Sequence, residues 1–171
     1  MGKEGLPELD DEDLRQVRQI FDWVRSGTVE PIASFLRQGL PPNLRNGKGD
    51  SLLMLAAYHG HADMVRLLLE AGADPELQND RGQTPLAGAV FKGDEAVVRA
   101  LLDHGAAVDT RMADGKTALM MAAMFNRVEL LQLLFERGAD PSVRDVTGIG
   151  AAEVAQKMGA NDAVAWLNRA A

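Results

Sequence analysis

The sequence predicts an all-α repeat solenoid, about five stacked helix–turn–helix units joined by hairpin-like loops. Three observations carry this. Near-identical text returns every 33 residues: "LEAGADPELQNDRGQTPL" at 69–86, "LDHGAAVDTRMADGKTAL" at 102–119 and "FERGADPSVRDVTGIGAA" at 135–152. Three glycine columns hold that period in phase: Gly39, Gly72, Gly105 and Gly138; Gly49, Gly82, Gly115 and Gly148; and Gly27, Gly60, Gly93 and Gly159, with Asn126 in the vacant slot. Finally, every period runs through the same sequence of two helical patterns and one turn pattern.

The elements follow in chain order. "LDDEDLRQVRQIFDWV" (9–24) opens with acids, as a helix N-terminus prefers, and reads as the start of a capping unit. "TPLAGAVFKGD" (84–94) and "TALMMAAMFNR" (117–127) read as short helices dense in Ala and Leu. Thr84 and Thr117 precede them and can cap exposed N–H groups, Pro85 suits a first helical position, and a Gly or Asn follows where the chain turns left-handed. "AVVRALLDHG" (96–105) and "VELLQLLFERG" (128–138) carry apolar residues at i, i+3 and i+4, a second amphipathic helix ending at Gly. Segments such as "ADPELQNDRGQ" (73–83) are turn-rich and should return as hairpin-like loops. "NDAVAWLNRAA" closes the chain, with Trp166 and Leu167 in the columns of Leu133 and Leu134. A single domain over 1–171 is expected, in units at about 14–43 (N-terminal cap), 44–76, 77–109, 110–142 and 143–171 (C-terminal cap).

"GQTPLAGAVFKGDEAVVRALLDHGA" (82–106) and "SLLMLAAYHGHADMVRLLLEAGADP" (51–75) resemble ankyrin repeats, whose period this chain shares over about residues 14–171. The family's Thr-Pro-Leu-His is here Ser51-Leu52-Leu53-Met54, Thr84-Pro85-Leu86-Ala87, Thr117-Ala118-Leu119-Met120 and Gly150-Ala151-Ala152-Glu153. No unit keeps the histidine, so the Thr–His hydrogen bonds the resemblance implies are absent.

Composition excludes several functions. The net charge of −7 disfavours nucleic acid and anionic membranes as partners. Without cysteine there is no disulfide, thiol nucleophile or thiolate metal site. Leu67, Leu68 and Leu69 run straight into Glu70, so no membrane span is expected, and "MGKEGLPELDDEDL" has no apolar signal region; a cytoplasmic location is the expectation. "NGKGDS" (46–51) fails as a phosphate loop because Lys48 is followed by Gly49 rather than Ser or Thr. The histidines are His59, His61 and His104. His61 and His104 read as capping or packing residues, and the spacing of His59 and His61 puts them on different faces of a helix end, leaving no metal site. No catalytic constellation emerges, and no cofactor is expected.

The columns that vary should point outward. Just before each inner-helix Gly or Asn stand Tyr58 and His59, Phe91 and Lys92, and Met124 and Phe125. The resemblance implies that these lie on a concave groove, where aromatics and Met favour a protein interface. Packing of the aromatics on a neighbouring loop is the alternative. At the loop tips Arg45, Gln78, Arg111 and Arg144 share a column, with Lys48, Arg81 and Lys116 nearby. Such arginines can engage carboxylates, or else form local ion pairs on a solvated tip. Glu70, Asp103 and Glu136 line up as a solvated convex stripe.

The expectation is a non-catalytic protein-binding module, monomeric when unbound, that uses Tyr58, His59, Phe91, Lys92, Met124 and Phe125 in the groove and Arg45, Arg81, Arg111 and Arg144 at the tips. Its resemblance to stand-alone bacterial ankyrin proteins implies an adaptor, inhibitor or protective partner of another protein. A homo-oligomer built through the same groove is the alternative.

Overall fold

In the computed structural model, residues 10–170 are described; residue 171 and residues 1–9, with the reading of that N-terminal stretch, lie outside the described residues. Among the described residues ten helices follow one another: α1 Asp11–Ser26, α2 Val29–Arg37, α3 Leu52–His59, α4 Ala62–Glu70, α5 Pro85–Lys92, α6 Glu95–Asp103, α7 Ala118–Met124, α8 Val128–Glu136, α9 Ala151–Met158 and α10 Asn161–Ala170. Each odd-numbered helix packs on the even-numbered helix that follows it, and the odd-numbered ones stack in order from α1 to α9. We call the odd set inner and the even set outer.

The two sets differ in which faces they bury. In α3 the run from Leu52 to Ala57 is buried all round, because an inner helix has an inner neighbour on each side and its outer partner behind. The alanines Ala56, Ala57, Ala89, Ala122, Ala123 and Ala155 have no exposed surface, and their small side chains let the helices approach closely. Outer helices are one-sided: α4 buries Met64, Val65, Leu68 and Leu69, and α6 buries Val97, Val98, Ala100 and Leu101 in the same phase. Together these residues form one continuous core from Ile20 to Leu167. At its far end Trp166 meets Phe135 edge-on, the ring centroids 5.5 Å apart.

Helix boundaries follow from side-chain chemistry. Ser51 Oγ accepts from Met54 N at 3.0 Å, Thr84 Oγ1 from Ala87 N at 3.2 Å and Thr117 Oγ1 from Met120 N at 3.4 Å. Gly150 has no side chain to offer; there Glu153 reaches back and accepts the Gly150 N–H at 3.0 Å. In α1 Asp10 and Asp13 cap reciprocally. At the other end, Gly60 and Gly93 turn left-handed with φ of 77° and 78°, and Asn126 occupies the same turn after α7 with φ 55°.

The loops are hairpin-like, as the turn pattern requires: Asn46 N donates to Asp50 O, Asn79 N to Gln83 O, Met112 N to Lys116 O and Asp145 N to Ile149 O, at 2.9 to 3.1 Å. Two hydrogen-bond ladders join successive loops. In one, Arg45 Nη2 donates to Gln78 O at 2.8 Å, Gln78 Nε2 to Arg111 O at 2.9 Å and Arg111 Nη1 to Arg144 O at 3.0 Å. In the other, Asn43, Glu76 and Asp109 accept the N–H groups of Asp74, Ala107 and Asp140. Among the described residues, no helix is long and apolar enough to cross a membrane.

Candidate docking face

The variable pairs fall at the C-terminal ends of the inner helices, and stacking brings those ends together. Tyr58 and Phe91 lie parallel with centroids 6.0 Å apart, and Phe91 meets Phe125 edge-on at 5.2 Å. All three rings stay open to solvent, at 41%, 42% and 36% exposure. Lys92 Nζ sits 5.3 Å from the centre of the Tyr58 ring, a cation–π arrangement. His59 packs edge-on against Tyr58 at 5.5 Å. The result is an unbroken aromatic stripe across α3, α5 and the end of α7. The rings pack on one another. Met124 differs from its partners in the column, being half-buried against the core.

One histidine reading is corrected. His59 and His61 do not diverge: their rings stack at 6.2 Å with an interplanar angle of 13°. The chain reverses at Gly60, so helical spacing no longer applies across the pair. His61 Nε2 donates to Arg25 O at 2.7 Å, which ties it to the preceding unit. His59 is held below its ordinary pKa, first by burial and then by the neighbouring His61, Lys92 and Arg25.

Beneath the stripe lies a cleft of about 330 Å³. Met54, Leu55, Gly88 and Met121 form its floor, and Asn79, Arg81 and Gln83 bring the loops to its side. The four tip arginines are thus separated. Arg81 borders the aromatic face, whereas Arg45, Arg111 and Arg144 run along the array. Arg45 also donates to Gly49 O at 2.9 Å and pairs with Asp80 at 3.6 Å, and Arg144 pairs with Glu153. Sequence reasoning missed Met54, Gly88, Met121 and Gln83. Gly88 and Met121 share a column with Leu55 and Val154, but the column alone does not say what a lone glycine there is for.

The family model described as ankyrin repeats (three copies) matches residues 21–111 and 53–145. The chain belongs to the ankyrin-repeat family. A Pseudomonas aeruginosa protein whose name also carries the ankyrin repeat is 64% identical over 61 residues, which is 36% of this chain and 36% of that protein. The match thus spans about a third of the curated relative's length. Ankyrin repeats generally mediate protein–protein interaction and are generally non-catalytic. In this ankyrin array the Ser and Thr caps and the two loop ladders are present without the family's histidine.

Proposed function

We propose that this ankyrin-repeat protein docks another protein on the face made by Tyr58, His59, Phe91, Lys92 and Phe125, with Arg81 at its edge. The observation that carries the reading is the continuous exposed stack Tyr58–Phe91–Phe125 above a cleft. Aromatic side chains left open on a rigid surface supply contact area at small cost in conformational entropy, and interfaces concentrate such residues. Met124 backs the stripe from the core side. Arg45, Arg111 and Arg144 contribute at the rim with whichever N–H donors the ladder leaves over. The protein acts as an adaptor, inhibitor or protective partner in the cytoplasm, as a monomer until the partner arrives.

The test is a capture experiment with wild type and the Tyr58→Ala/Phe91→Ala variant, paired with urea unfolding of both. Because the two rings are more than a third exposed, the double variant should stay within about 1 kcal/mol of wild-type stability. It should nevertheless lose a protein that wild type enriches. Equal capture by a stable double variant rules this face out. Mass that rises with concentration for wild type alone would turn the reading to self-association.

A further inference from the structure

We propose that the cleft under Tyr58 and Phe91 is a socket for one apolar side chain of the partner, carried on an extended segment rich in Asp and Glu. This rests on the reading of the aromatic face as the docking surface, and adds the chemistry of what docks.

The socket exists because of one residue. Gly88 sits in the middle of α5 with ordinary helical backbone, where glycine is destabilising relative to alanine. No close approach explains it either: a Cβ built there would stand 3.5 Å from Met54 Sδ and 3.9 Å from Tyr58 Cβ, ordinary contacts. The same column holds Leu55, Met121 and Val154 in the neighbouring inner helices. What the glycine does is leave the floor empty between Leu55 and Met121. A volume of about 330 Å³ is at the small end of organic-ligand sites, which run from about 300 to 1,000 Å³, and suits a side chain with its adjoining backbone rather than a helix. Met54 and Met121 flank the gap with flexible, polarisable side chains able to close on Leu, Met or Phe.

Charge and hydrogen bonding specify the rest of the segment. None of the ion pairs among the described residues uses Arg81, which lines the cleft, or Lys92, which lies over the Tyr58 ring. The one carboxylate lining the cleft, Asp50, is already engaged by Asn79 Nδ2 at 2.8 Å and Asn46 Nδ2 at 3.2 Å. Two cations without an ion-pair partner, Arg81 and Lys92, thus stand at the socket against the single carboxylate Asp50, although the chain carries −7. Gln83 accepts from Asn79 at 3.1 Å through Oε1, which keeps its amide N–H groups for a main-chain carbonyl of an extended strand.

A random peptide library displayed on phage and selected on the full-length protein tests this directly, with synthetic copies of the enriched peptides titrated by fluorescence anisotropy. Enriched sequences should carry one Leu, Met or Phe flanked by Asp or Glu, and should bind more weakly as salt rises. Gly88→Leu, which repeats the Leu55 solution in the next helix, should unfold no more easily than wild type yet bind these peptides on the order of ten-fold or more weakly. Gly88→Ala, for which there is room, should also fold and fall between. No enrichment, enrichment of basic peptides, or equal binding to Gly88→Leu overturns the proposal. If Tyr58→Ala/Phe91→Ala loses the peptides and Gly88→Leu keeps them, the docking face stands and the socket falls. If neither variant loses them, both readings fall. Self-association that Gly88→Leu abolishes would seat a second copy of this chain in the socket, and that too overturns it.

Discussion

Asn126 shows how one position can satisfy two demands at once. The turn after each inner helix needs a left-handed residue, and at Gly93 a Cβ would come within 2.8 Å of the Arg127 guanidinium carbon. After α7 the same turn is made with Asn at φ 55°, a region that Asn tolerates better than most side chains. The side chain then works across the interface: Nδ2 donates to Asp162 Oδ2 at 3.0 Å, and Oδ1 accepts Ala163 N at 2.9 Å. Both Asn126→Gly and Asn126→Ala lose those bonds, but only alanine keeps the left-handed strain, which costs about 1–2 kcal/mol. We expect Asn126→Ala to be the less stable of the two by about 1 kcal/mol in urea unfolding. Equal stabilities would mean that backbone strain is negligible there. This position was legible in the sequence, because it filled a glycine column. Gly88 was not, since a lone glycine inside a helix pattern carries no sign of whether it serves backbone, packing or an empty floor.

The loops are where sequence columns and physical roles diverge. The column Arg45–Gln78–Arg111–Arg144 was visible as a repeat, but its hydrogen bonds run to main-chain carbonyls, which leave no trace in residue identity. Loop interiors are organised by Asn46, Asn79 and Asp145, each accepting two backbone N–H groups of its own hairpin. Met112 stands at that register position in the loop between α6 and α7, where Lys116 instead pairs with Asp114 at 2.7 Å and Asp145 at 3.7 Å. Asp145 is lowered to about 2, first by the Thr147 hydroxyl and the Ile149 N–H, with Lys116 adding to it. A carboxyl lowered in the folded state stabilises fully above its unfolded value of about 4, and that contribution fades as pH falls toward the folded value. The stability gap between wild type and Asp145→Asn should therefore shrink between about pH 5 and about pH 3 in urea titrations. A gap independent of pH would assign the effect to shape rather than charge. Inner and outer helices were easier to anticipate, because their apolar spacing alone distinguishes all-round burial from one-sided burial.

Across the whole molecule the repeat separates scaffold from reading surface. Each helix pair leans on its neighbours, so the caps, alanines and leucines are held to type, while the residues before each inner-helix turn are released to vary. The same stacking turns three isolated aromatic positions into one stripe, with cations gathered beside it on a chain that is acidic as a whole. That the outward columns would meet was readable from the period; that they would stack face to face and edge to face required the inter-helix distance. The most direct measurement of the docking face is hydrogen–deuterium exchange on the protein alone and bound to its captured partner. We expect the partner to slow exchange at the ends of α3, α5 and α7, around Tyr58, Phe91 and Phe125, with the outer helices α4 and α6 unchanged. Protection confined to the outer helices, or to the Arg45, Arg111 and Arg144 loops, would contradict a docking face built on the aromatic stripe.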